Sequence, residues 1–172
     1  NLLNTFSNNL SVTKRFGSKG AFLKLDLLNT IRTTRTDDYF NSTVNTYGLT
    51  SEEIERNQFR NTDDNARTIS PSITYRLPIK GKEWSLDFKY LFRQDKNERK
   101  LSSYDFNETT DDYNDAINED LSTNYENINQ LNKPSVILGF RNDKLSSNFE
   151  FNYLFRTLEN NDALRPTYNL TR

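Results

Sequence analysis

The chain of 172 residues contains no cysteine, no histidine and no methionine. The absence of cysteine excludes disulfides and thiolate chemistry, and the absence of histidine excludes imidazole bases and the Ser-His-Asp triad. With both residue types missing, a site for a transition metal is not expected either. We therefore expect that the chain is not an enzyme, and we assign it no catalytic, cofactor-binding or metal-binding residues and no cofactor.

Long apolar runs are lacking as well. No stretch approaches the roughly 20 consecutive apolar residues that a membrane-spanning helix needs, so helical spanning is excluded. Basic and acidic residues number 23 and 24, no Lys/Arg-rich run occurs, and no nucleic-acid partner is expected. The chain begins at Asn1 without a signal peptide. We expect it to be an internal segment of a longer protein.

Aromatic residues, in contrast, are plentiful. They make up 13% of a chain whose hydrophobic content is only 33% and whose mean hydropathy is −0.90. Such polarity first suggests disorder, but disordered chains are poor in aromatic residues. A membrane barrel with a polar, water-filled interior and an apolar belt on its outside accounts for both properties.

The apolar residues recur with a period of two. In 84–93 every even position is large and apolar, whereas the odd positions are polar or charged except for Leu91. This alternation predicts a strand with one face out of water. Its aromatic residues are typical of strands that face lipid, because Trp and Tyr lie at membrane interfaces. The same parity predicts further strands in 5–16, 21–32, 68–77, 135–141 and 148–156.

The alternation also assigns the side chains of each strand to one of two faces. A Lys or Arg on the lipid face would destabilise the barrel by about 2–4 kcal/mol near the bilayer midplane. Mixed charges on the other face indicate structural salt bridges rather than an ion-selective ring. The residues predicted to face lipid are Ile69, Ile73, Tyr75, Trp84, Leu86, Phe88, Tyr90, Phe92, Phe149, Phe151, Tyr153 and Phe155. The residues predicted to face the lumen are Lys24, Asp26, Arg76, Asp87, Lys89, Arg93, Glu150 and Arg156.

The connections alternate between short and long. Turn residues lie at 17–20, 78–83 and 142–144, whereas polar stretches occupy 33–67 and 94–134, far longer than typical loops. Short turns on the periplasmic side and long loops outside are typical of outer-membrane barrels. The expected fold is therefore all-β, an antiparallel transmembrane β-barrel segment of about six long meandering strands, with short periplasmic turns and long extracellular loops. It forms one partial barrel domain, 1–172, with hairpins at about 5–36, 66–100 and 122–160.

A soluble antiparallel sandwich also alternates apolar and polar residues. Sandwiches usually carry a turn signal every 8–12 residues, and this chain has too few strands for its length. The pattern therefore favours the membrane barrel. Six strands would still leave two unpaired edges, which lipid does not tolerate, so we expect pairing with further strands or with other protein.

Two features of the polar stretches allow a binding role. The acidic residues of 111–120 suit Ca²⁺ by their oxygen ligands, but they lack the glycine and spacing of a calcium loop, and a solvated loop is favoured. Aromatic side chains could stack on an external sugar or peptide, or they could pack on each other and continue the strands, which we favour. These aromatic residues are Tyr39, Phe40, Tyr47, Phe59, Tyr104, Phe106 and Tyr113.

Several strand patterns together resemble a known family. The motifs are LSVTKRF at 10–16, FLKLDL at 22–27, SITYRLP at 72–78, WSL at 84–86, LSTNYEN at 121–127, and TLEN with LRP at 157–166. They resemble the outer-membrane β-barrel family of Bacteroidota, the TonB-dependent-receptor-like barrels. Members are similar to barrels of about 22 strands closed by an N-terminal plug, and many take up nutrients with energy delivered by TonB.

The resemblance implies a place in the outer membrane of a Gram-negative bacterium. Its partners would be outer-membrane lipid, the remaining barrel strands and plug of the full-length protein, and TonB through an N-terminal region. The expected function is the passage or binding of a solute as part of such a transporter. Two alternatives stay open: a non-transporting barrel that scaffolds a surface or secretion assembly, and a soluble β-sheet binding module.

Overall fold

The chain folds into a single antiparallel sheet in a computed structural model that describes residues 1–17, 20–46, 52–80 and 83–172. Strand-forming Val, Ile, Thr, Tyr and Phe residues recur through its long strands. No helix of these described residues is long and apolar enough to cross a membrane. The strands are β1 (Leu2–Phe16), β2 (Ala21–Thr46), β3 (Glu52–Lys80), β4 (Trp84–Asn107), β5 (Asp112–Tyr113), β6 (Thr123–Arg141), β7 (Ser146–Asn152), β8 (Phe155–Asp162) and β9 (Leu170–Thr171), with one 3-10 turn at Pro166–Tyr168.

The sheet order is β1-β2-β3-β4-β6-β8-β9, with β5 paired to β4 and β7 to β6. β7 and β8 lie end to end along β6 in one register, from the pair Ser135–Asn152 to the pair Asn132–Phe155. Between them Tyr153 donates its N–H to the carbonyl of Pro134 at 3.1 Å. The ladder breaks there because proline has no N–H to return. The all-β, antiparallel architecture is confirmed.

The expected long loops are wrong for much of the chain. β2 continues to Thr46 and β3 begins at Glu52, so most of 33–67 is strand. Likewise the connection between β4 and β6 shrinks to 108–122. These strand extensions have polar residues on both faces, so no alternation marks them in the sequence. Cross-strand pairs such as Arg35–Asp63, at 2.7 Å, stabilise them instead.

The turn from β6 to β7 is held by Asn142, whose side-chain oxygen accepts the N–H groups of Lys144 at 2.9 Å and Leu145 at 2.7 Å. Gly17 and Gly20 flank the first turn with φ of 62° and 91°, a left-handed conformation that glycine adopts without strain. The predicted turns at 17–20 and 78–83 include residues 18, 19, 81 and 82, which lie outside the described residues.

The sheet is open at both sides. β1 pairs only with β2, and β7 pairs only with β6 among the described residues. At the second edge β9 covers β8 only around Glu159 and Asn160. The outer N–H and C=O groups of β1 and β7 therefore have no strand partner in the described part of the chain.

Burial is the reverse of that in a soluble domain. Among the described residues no hydrophobic side chain is buried, although soluble proteins bury Ile, Val, Leu and Phe first. The side chains that are buried are all polar or charged, namely Gln58, Asp87, Ser102, Ser103, Ser122 and Ser135. The sheet thus has no apolar core of its own.

Candidate functional surfaces

The strand register gathers the apolar side chains on one face. Residues paired directly across an antiparallel sheet share a face, and the pairing runs from Leu23 to Tyr75, Phe88, Val136 and Phe151 in one continuous row. All five strands thereby contribute an apolar side chain at the same level. Phe88 remains 45% exposed and Phe151 75% exposed.

Neighbouring rows extend this surface, which we name the apolar band. The next row joins Val12, Leu25, Ile73, Tyr90 and Pro134. The band contains every residue predicted to face lipid. Its members are Leu10, Val12, Leu23, Leu25, Leu27, Ile69, Pro71, Ile73, Tyr75, Leu77, Trp84, Leu86, Phe88, Tyr90, Phe92, Pro134, Val136, Leu138, Phe140, Phe149, Phe151, Tyr153 and Phe155.

The band ends at one level on β3 and β4, whereas on β1 and β2 exposed Phe6 and Ile31 continue into the next rows and Lys14 lies in the row of Phe88. On β4 it runs from Trp84 to Phe92, eight residue steps, or about 27 Å along the strand at roughly 3.3 Å per residue. With a strand tilt of about 40° the height is about 20 Å, close to the roughly 25 Å apolar belt of outer-membrane barrels. Beyond it the same face turns charged, because Arg67 pairs with Lys96, and Glu98 with Glu126.

The opposite surface, which we name the polar face, carries all eight residues predicted to face the lumen. Its most buried charged group is Asp87, 6% exposed. Arg76 donates two parallel hydrogen bonds to this carboxylate, from Nε at 2.7 Å and from Nη2 at 2.6 Å. Next to it Lys24 pairs with Asp26 at 2.9 Å in a more exposed setting.

Two further ion pairs complete the polar face at the level of the apolar band. Lys133 pairs with Glu150 at 3.2 Å, and Arg93 pairs with Asp95 at 2.8 Å. Neither Lys133 nor Asp95 is among the predicted lumen residues, because each lies just beyond the stretch whose alternation is clear. Extending the odd-position rule by two residues, from 84–93 to Asp95 and from 135–141 to Lys133, would have included both.

The charged zone beyond the apolar band contains a network around Lys96. Its ammonium contacts Glu126 at 2.7 Å and Glu98 at 2.6 Å. The hydrogen bonds that Lys96 donates to these carboxylates, first to Glu126, raise the pKa of Lys96 above its usual range. The reverse contact holds the pKa of Glu98 below its usual range, with the hydrogen bond from Lys96 as the largest cause.

Five aromatic side chains form a cluster at the far end of the long strands. Tyr39, Phe59 and Tyr104 are paired across β2, β3 and β4, with ring centroids 5.3 Å apart for the first two and 6.0 Å for the last two. Tyr113 packs on Phe106 at 5.4 Å and on Phe59 at 5.9 Å. These rings continue the strands and pack on each other, which is the interpretation favoured above over stacking on an external sugar or peptide.

The two remaining aromatic residues differ. Phe40 lies on the other face of β2, where the Arg60 guanidinium stacks over its ring at 3.9 Å. Tyr47 lies outside the described residues. The cluster is therefore described without these two residues.

The connection 108–122 is organised by Asn118. Its side-chain nitrogen donates to Asp105 at 2.6 Å, and its side-chain oxygen accepts the N–H of Asp120 at 3.1 Å. The Ser122 hydroxyl donates to the Asn118 carbonyl at 2.6 Å and accepts the N–H of Ser103 at 3.0 Å. Across the described ranges no three acidic side chains converge as metal ligands would.

No family model matches the chain, and no curated protein matches it.

Proposed function

We propose that this chain forms part of the wall of a transmembrane β-barrel in the outer membrane of a Gram-negative bacterium. The barrel would be of the TonB-dependent-receptor-like kind and would pass or bind a solute. One observation carries the proposal, the inverted burial of the sheet. Its apolar side chains are exposed together on one face, and the buried side chains are polar.

The size of the apolar band supports lipid as its neighbour. Six strands at about 4.8 Å spacing and a length of about 27 Å give a surface on the order of 700 Å². The largest apolar patch on a typical soluble monomer is roughly 300–600 Å². Exposure of so large a surface to water is unfavourable by about 25 cal/mol for each Å². Contact with acyl chains removes that cost.

The order of side chains along the strands also supports this proposal. Trp84 lies at one end of the band, 4.7 Å from the Phe140 ring between centroids, as expected for an aromatic residue at a membrane interface. At the other end the face changes to Arg67 and Lys96. Charged residues are tolerated there because headgroups and water replace hydrocarbon.

The two open edges of the sheet need partner strands from the rest of the barrel. Along β1 and β7 the outer backbone groups lie beside exposed apolar residues such as Val12 and Phe151. Unpaired N–H and C=O groups cost several kcal/mol each in hydrocarbon. The proposal therefore requires a strand of the full-length barrel against each edge. The polar face would then line the interior and contact solute.

Trp84 provides the test, because it is the only tryptophan of the chain. The full-length protein that contains this chain, with any tryptophan outside the chain replaced by phenylalanine, is folded from urea into vesicles of phosphatidylcholine, with and without bromine on the acyl chains. We expect a blue-shifted emission that brominated lipid quenches. Two matched variants move the probe: Trp84→Phe with Phe88→Trp, and Trp84→Phe with Lys89→Trp.

Position 88 should be quenched strongly and position 89 weakly, because the two adjacent side chains lie on opposite faces. Equal quenching at both positions would contradict the proposal. So would a chain that stays folded and monomeric in buffer without lipid or detergent.

A further inference from the structure

The polar face carries more positive charges than the carboxylates of its ion pairs neutralise. Each of its four carboxylates at the level of the apolar band has its own cation within 3.2 Å. Three cations remain: Arg15, Lys89 and Arg156. Of these, Arg156 donates to the Asn129 side chain at 2.9 Å, and the other two have no ion pair in the described part of the chain. The whole chain has a net charge of −1, so this surplus is local.

Lys89 is the central one of these three remaining cations. Its row across the sheet consists of Thr13, Lys24, Thr74, Lys89, Ser135 and Asn152. Every one of these side chains has a hydrogen-bond donor and none is a carboxylate. Lys24 is already bound to Asp26. Lys89 is therefore the cation without its own ion pair in a row rich in donors, although its charge also acts on Asp26 and Glu150, each of which is paired with another cation.

The setting strengthens attraction for an anion. The row lies at the level of the apolar band, since Lys89 is flanked along β4 by Phe88 and Tyr90 on the other face. Low-dielectric surroundings weaken the screening of a charge and focus its field into the interior. A carboxylate or phosphate can accept from the Lys89 ammonium and from the neighbouring Thr74 hydroxyl at once.

We infer that the polar face binds an anionic solute, whose carboxylate or phosphate group is held at Lys89 beside Thr74. The inference rests on the proposed function and names the class of solute that the barrel would handle. The four ion pairs stabilise the wall, and the unpaired cations provide the recognition.

The test measures binding of two probes, citrate and pyrophosphate, to the full-length protein in detergent micelles or vesicles, by isothermal titration calorimetry at low and high salt. We expect binding of at least one probe, which assigns carboxylate or phosphate, and weaker binding as salt rises. Lys89→Gln should weaken it about five-fold, as expected for the loss of one solvent-exposed ion pair. Lys89→Arg should restore most of it.

Lys144→Gln is the matched control, because it removes one exposed cation from the turn between β6 and β7, away from the row of Lys89. Absence of binding by both probes to a chain that has inserted into lipid would overturn the inference and leave the proposed function intact. Equal losses from Lys89→Gln and Lys144→Gln would also overturn it. Binding of an acidic peptide without binding of either small anion would assign the face to a protein partner instead. Failure of the full-length protein to insert would count against the proposed function.

Discussion

Phe88→Arg tests the assignment of the two faces with the largest expected effect. Phe88 is the central residue of the apolar band on β4, four residues from Trp84 and four from Phe92. That places it about 10 Å from either limit of the band, after allowance for a strand tilt of about 40°. In the register its side chain lies between Tyr75 and Val136.

An arginine near the bilayer midplane costs about 2–4 kcal/mol. Because about 1.4 kcal/mol changes an equilibrium constant ten-fold, the folding equilibrium in lipid should fall about 30- to 700-fold. Lys89→Gln changes the next residue along the chain, on the polar face. It breaks no ion pair, so a change below about 0.5 kcal/mol is expected.

The assay is equilibrium folding into vesicles along a urea titration, followed by far-ultraviolet circular dichroism and by Trp84 emission. Phe88→Leu serves as the control for lost ring contacts, with an expected cost below about 1.5 kcal/mol. Similar losses from Phe88→Arg and Lys89→Gln would refute the assigned faces. So would a Phe88→Arg chain that inserts as well as the original.

Two further predictions concern charges. Asp87→Asn should lower the unfolding free energy by about 1–3 kcal/mol in the same titration, because it leaves Arg76 without its carboxylate partner at a nearly buried site. Asp26→Asn, which breaks an exposed pair, should lower it by less than about 1 kcal/mol. Equal losses from the two variants would contradict the role assigned to burial. The lowered pKa of Glu98 means that its contribution to stability is present above the usual glutamate range and is lost as pH falls through the folded value. Lys96→Gln should therefore reduce the loss of stability on acidification, measured as the slope of unfolding free energy against pH, and an unchanged slope would exclude this contribution.

Much of the fold could be predicted because one side of each strand repeats apolar residues at every second position. Each predicted strand lies within an observed strand or spans the break between β7 and β8. The extensions toward Thr46 and Asn107 could not be predicted, since water on both faces removes the alternation. The pair Arg35–Asp63, which holds them, joins residues 28 apart in sequence.

The candidate surfaces, too, could be predicted from the sequence only in part. Parity alone separated Phe88 from Lys89, because successive side chains of any strand point to opposite faces. It did not give the partners of the charges. The contact of Lys133 with Glu150 depends on how β6 and β7 are aligned, and the spare charge of Lys89 is apparent only when the other pairs are known.

The sequence by itself determined the strands, their two faces and the absence of His and Cys chemistry, because these follow from local periodicity and composition. The tertiary structure decided the register. Register sets the rows, and the rows place the apolar segments of β2, β3, β4 and β6 side by side. It also decided which charges remain unpaired and which edges stay open, because both depend on neighbours that are distant in sequence.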